Sequence, residues 1–87
     1  MIRAKNETER MVLKKFEDSY RSWKALPQDC PEYVWNAFYK QYQIIQYTFE
    51  DLFGLENGCA CEFDIYTGCF CVYSFNENDE PFLVYQF

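Results

Sequence analysis

Hydrophobic side chains recur at three- and four-residue steps through the first part of the chain and at every second position near its end. This pattern predicts two helices followed by strands. In the first helical stretch Val12, Leu13, Phe16, Tyr20 and Trp23 form a single apolar stripe, with Arg10, Lys14, Glu17, Asp18 and Arg21 on the outer face. Asn6 stands where a cap is needed, and Glu9 three residues later completes a capping box. Pro27 disfavours helical geometry in the residue before it, so the helix is expected to end near Ala25.

The stretch from Pro31 to Gly54 reads as a long central helix. One apolar row is Val34, Phe38, Tyr42, Ile45, Phe49, Leu52; a second is Trp35, Tyr39, Tyr42, Phe49, Phe53. Only Glu32, Asn36, Lys40, Gln43 and Glu50 mark a solvent line. A helix so apolar is expected to be covered on two sides, with Trp35, Tyr39 and Tyr47 assigned to the core. Asp29 is the predicted cap, with Pro31 in the first turn and Glu32 at the capping-box position. Gly54 followed by the apolar Leu55 predicts a Schellman end, in which a left-handed residue closes the helix. The short loop between the helices implies antiparallel packing.

Residues 59–75, CACEFDIYTGCFCVYSF, alternate as a β-hairpin does. A three-residue turn, Tyr66-Thr67-Gly68, would pair Ile65 with Cys69 and Phe63 with Cys71. That register places Cys59, Cys61, Phe63, Ile65, Cys69, Cys71, Tyr73 and Phe75 on the covered face. Ala60, Glu62, Asp64, Phe70, Val72 and Ser74 would face outward. Asn76 to Pro81 form a second turn and Phe82 to Phe87 a third strand. The expected fold is α+β, two antiparallel helices followed by a three-stranded antiparallel β-meander (ααβββ), packed on the long central helix. The whole chain, residues 1–87, is expected to form a single domain.

Composition agrees with a folded chain. Hydrophobic residues make up 49% and aromatics 22%, too apolar for an acidic disordered tail despite a net charge of −6. No apolar run approaches the ~18 residues of a membrane span, and the N-terminus, MIRAKNETER, lacks the apolar segment of a secretory signal. A cytoplasmic location is therefore expected. The five cysteines are odd in number and read as reduced thiols.

Charge is divided along the chain. All eight Lys and Arg lie within the first forty residues. From Gln41 to Phe87 there is no basic side chain, while Glu50, Asp51, Glu56, Glu62, Asp64, Glu77, Asp79 and Glu80 are all acidic. The basic residues of the first helix are interleaved with Glu and Asp, which favours a solvated helix face over a nucleic-acid-binding one.

Two motifs invite a chemical reading. Cys59-Ala60-Cys61 and Cys69-Phe70-Cys71 supply four thiols, a common zinc ligand set. In a regular hairpin, however, Cys59 and Cys61 lie roughly 7–20 Å along the ladder from the other two, at ~3.3 Å per residue, too far for all four to share an ion. Buried core thiols are the expectation, with a metal centre or redox pair as the alternatives. A nucleophilic cysteine needs a base or an electropositive setting, yet the chain has no His, and every cysteine but Cys30 lies in the acidic half. Paired carboxylates occur at Glu50/Asp51 and Glu62/Asp64, and the latter, two apart on a strand, share a face and could chelate a cation or act on a sugar. No phosphate-binding loop accompanies them, so the expectation is no enzyme, no cofactor and no metal.

The expected site is therefore a binding surface made of Glu50, Asp51, Glu56, Glu62, Asp64, Glu77, Asp79 and Glu80, with Phe70 and Val72 as its apolar contacts. Its expected partner is a basic protein, a nucleic-acid-binding one above all, whose phosphate sites the carboxylates would occupy. Neither direct nucleic-acid binding nor membrane binding is expected. In size and charge the chain is similar to small acidic inhibitors carried by phages and mobile elements, anti-CRISPR proteins and DNA mimics among them. That similarity carries over no residue. An immunity or antitoxin-like protein that blocks a nuclease toxin, and a structural subunit that oligomerises through its aromatics, are the alternatives.

Overall fold

The structure, a computed structural model, describes residues 1–87. The order of elements is α1 (Glu7–Lys24), α2 (Glu32–Phe53), β1 (Cys59–Asp64), β2 (Cys69–Phe75) and β3 (Pro81–Gln86), an ααβββ chain of the α+β class. The chain forms two compact units, residues 4–49 and residues 1–3 with 50–87, so the last turn of α2 belongs to the second. No helix is long and apolar enough to cross a membrane.

The first unit is a helical hairpin. Asn6 caps α1 as predicted: its Oδ1 accepts from the Glu9 N–H at 2.9 Å, and the Glu9 carboxylate accepts in return from Asn6 Nδ2 at 3.0 Å and from the Lys5 N–H at 3.3 Å. Leu13, Phe16 and Tyr20 of the apolar stripe are buried. On the outer face Arg10 pairs with Glu7 and Lys14 with Asp18. α2 starts later than its capping pattern implied. The Pro31 carbonyl accepts from Val34 and Trp35, so Pro31 precedes the first helical residue and Asp29 lies exposed in the turn before it.

Ring contacts establish the antiparallel arrangement. Trp23, near the end of α1, stacks on Tyr42 and meets Trp35 edge-on, while Phe16, nearer the start, stacks on Phe49 at 4.2 Å. Phe16 and Phe49 have no exposed surface. Such rings contribute about 1.5–3 kcal/mol each by leaving water, plus a smaller amount from stacking. The Trp23 indole Nε1 is buried without a hydrogen-bond partner, and Lys24 Nζ lies 4.4 Å from the same ring system.

The solvent face of α2 differs from the predicted polar line. Tyr47 is 56% exposed, Tyr33, Ile44 and Trp35 are also exposed, and Gln43 is half-buried. Trp35 and Tyr47, expected in the core, are therefore surface residues, and only Tyr39 of the three is half-buried. Helical spacing shows which residues share a face. It does not show how wide a strip the neighbouring element covers.

In the second unit α2 ends in a Schellman turn at Gly54, whose φ is +69°, and the Leu55 N–H donates to the Glu50 carbonyl at 2.9 Å. The Glu50 carboxylate then accepts from the Cys59 N–H at 3.0 Å, tying the helix end to the first residue of β1. The sheet has the order β1-β2-β3, all antiparallel. A bulge makes Val84 an extra residue in β3, because Val72 pairs with Tyr85 but Tyr73 pairs with Leu83. Ile2, which the periodicity did not implicate, donates its N–H to the Val84 carbonyl at 2.8 Å and lies along the outer edge of β3.

The hairpin register is one residue away from the expected one. Asp64 pairs with Cys69, Phe63 with Phe70 and Glu62 with Cys71, around a four-residue turn, Ile65 to Gly68. The cause is local: Asp64 Oδ1 accepts from the Tyr66 N–H at 2.9 Å, and the Asp64 carbonyl accepts from the Gly68 N–H. Asp64 thus opens the turn one residue before the predicted start, while Gly68 takes its expected left-handed conformation at φ +70°.

Candidate functional site

A shift of one residue moves a strand's side chains to opposite faces relative to its neighbour. On one face of the sheet lie Cys59, Cys61 and Phe63 with Phe70, Val72 and Ser74; on the other lie Ala60, Glu62 and Asp64 with Cys69, Cys71 and Tyr73. The two apolar contacts expected beside Glu62 and Asp64 are therefore on the opposite side. Val72 has no exposed surface and cannot meet a partner. Phe70 is half-buried between the rings of Phe63 and Phe87. The same alternation separates Cys59 and Cys61 from Cys69 and Cys71, and no group of three or more Cys, Asp or Glu side chains lies where it could hold an ion.

On the Tyr73 face Glu62 stands opposite Cys71, whose buried thiol accepts from Gln86 Nε2 at 3.5 Å. The Tyr73 phenol has its pKa raised. The largest cause is the charge that Cys71 carries once ionised; burial, the side-chain hydrogen bond with Cys71 and the carboxylates of Glu62 and Asp64 act in the same direction. Glu62, Phe63, Asp64, Ile65, Tyr66, Cys71 and Tyr73 line a shallow depression of about 340 Å³. Ile65 is 76% exposed and Tyr66 93% exposed at the turn above it. Neither was singled out in the sequence, where Ile65 read as a covered strand residue and Tyr66 as a turn former. Strand alternation assigns no side to a residue in a turn, so the available signal was two large apolar side chains next to an acidic pair.

The remaining carboxylates gather at the other end of the sheet. Glu77, Asp79 and Glu80 are exposed in the β2–β3 turn, which Asn76 organises by accepting from the Asn78 and Glu80 N–H groups. Asp51 and Glu56 are exposed near the end of α2, and Asn57 Nδ2 donates to the Phe75 carbonyl, linking that segment to the same end. Glu50, half-buried and bonded to Cys59, acts first as a structural residue. β1 spans the sheet in five residue steps, so about 17 Å at ~3.3 Å per residue separates the two acidic ends. The unit carries eight carboxylates against Arg3 as its sole basic side chain.

Comparison with known proteins returned no family model, no curated protein and no solved structure that matches this chain.

Proposed function

We propose that this chain is a binding protein and not an enzyme, and that its carboxylate-rich second unit occupies the basic, nucleic-acid-binding surface of another protein. One observation carries the reading: carboxylates at both ends of a sheet unit whose sole basic side chain is Arg3. Such a unit produces a negative field that steers cationic surfaces toward it and repels nucleic acid itself. Backbone phosphates spaced along a strand present the same sign of charge at intervals, which is the property an inhibitor of this kind imitates. A basic nuclease toxin is one partner with the required chemistry, and a DNA-binding defence protein is another. The action proposed is occlusion in a cytoplasmic setting, without a cofactor.

The test is capture of partners from a cell lysate on the immobilised chain, at low and at high salt, with duplex DNA as competitor and identification by mass spectrometry. The expected catch is one or more nucleic-acid-binding proteins, lost at high salt and displaced by DNA. Recovery of the same proteins by a chain in which Glu77, Asp79, Glu80 and Glu62 are all changed to Lys would overturn the reading.

A second reading is favoured by the exposed Tyr33, Ile44 and Tyr47 on α2, which are suitable anchors for self-association. Light scattering that gives a multiple of 10.6 kDa would support a structural oligomer.

A further inference from the structure

We propose that the β1–β2 end of the sheet is the anchor of that basic partner: an arginine side chain of the partner protein lies in the depression beside Glu62, Asp64 and Tyr73, while Ile65 and Tyr66 pack against the apolar surface around it. The proposal rests on the reading of the preceding subsection and narrows it to one end of the sheet and one side chain.

Four observations meet at this place. Ile65 and Tyr66 project from a turn whose backbone is held by Asp64, so two large apolar groups are presented on a fixed support without cover. Nothing in the hairpin requires either of them there, because Asp64 and Gly68 already form the turn. The Glu62 side chain is exposed and its carboxylate accepts no hydrogen bond within the chain, and Asp64 has one carboxylate oxygen committed to the Tyr66 N–H. The depression of about 340 Å³ is lined by Ile65, Tyr66 and Tyr73 beside Glu62 and Asp64, with the strand at Phe63 and Cys71 completing it.

Charge complementarity selects the occupant. No basic side chain occurs between Gln41 and Phe87, so the carboxylates have no cation of their own in the sheet. The mixed lining selects between cations. A guanidinium bonds a carboxylate through two parallel N–H groups and lays its flat face on an aromatic ring, whereas an ammonium is a compact, strongly hydrated point charge. Carboxylates beside phenol rings therefore favour arginine over lysine. The opposite end of the sheet lacks this combination. Its turn carries Glu77, Asp79 and Glu80 around Asn76, with no tyrosine or isoleucine among residues 76–81. That end contributes long-range attraction, and the β1–β2 end contributes contact.

The experiment is an NMR titration of the isotopically labelled full chain with short capped peptides, one rich in arginine and one rich in lysine, matched in charge and added at low salt. Amide shifts are expected at Glu62 to Tyr66 and Cys71 to Tyr73, with tighter binding of the arginine peptide. Glu62→Gln and Tyr66→Ala should each weaken it on the order of tenfold. Both positions are exposed, so their unfolding midpoints, measured in parallel, should stay at the wild-type value. Shifts centred on Asp51 to Glu56 and Glu77 to Glu80, or equal binding of the two peptides unaffected by either substitution, would overturn the anchor and leave the preceding reading standing. Absence of binding by either peptide would remove both.

Discussion

Tyr73 shows how one residue's chemistry depends on the strand opposite. Its phenol stands among Cys71, Glu62 and Asp64 because the register places Glu62 across from Cys71, and this environment raises its pKa. A tyrosine whose folded-state pKa lies above the unfolded value contributes stability that is complete below the ordinary value of about 10 and is lost as pH rises through the folded one. An absorbance titration should therefore show Tyr73 ionising above the ordinary value. Tyr73→Phe should remove one late-ionising phenol from the titration and flatten the fall of stability at alkaline pH. A tyrosine titration unchanged by the substitution would contradict the placement. In the helical unit the corresponding single residue is Phe49, without exposed surface and stacked on Phe16. Phe49→Ala should cost about 3–5 kcal/mol, read as a lower urea midpoint with an unchanged slope.

Two element ends were legible in a local hydrogen-bonding pattern, whereas the start of α2, whose pattern at Asp29 is as local, was not. Asn6 with Glu9, and Gly54 with Leu55, formed the predicted ends because each needs only residues a turn apart. Asn6→Ala should cost ~1 kcal/mol in thermal unfolding. Gly54→Ala should cost about 1–2 kcal/mol from the left-handed φ alone, since a Cβ there would touch nothing within 4 Å, and Gly54→Asn should cost less. The hairpin was legible as an element but not in its register. The alternation of residues 59–75 fits two registers, and the decision lay with one Asp64 side chain that closes a turn on Tyr66. That choice exchanged the cross-strand neighbours of Glu62, Asp64, Phe70 and Val72.

At the scale of the molecule, charge follows the division into units: residues 4–49 mix both signs, while the sheet unit is acidic throughout except at Arg3. Self-repulsion of this kind is screened as the Debye length falls from about 30 Å at 0.01 M salt to about 8 Å at 0.15 M. The thermal midpoint should accordingly rise over that range in calorimetry, while binding of a basic partner weakens. A midpoint indifferent to salt would mean that the carboxylates are too widely spread to act as one field. The class of fold, the order ααβββ, the stripe of α1 and the acidity of the second half all depend on residue type and short spacing, and for that reason they could be read from the sequence. Which face of each strand is covered and how much of α2 meets solvent depend on pairings between segments distant in the chain, while the place where Ile65 and Tyr66 emerge depends on the turn that the Asp64 side chain closes. A period of two is equally satisfied by either face, and only the assembled hairpin chooses between them.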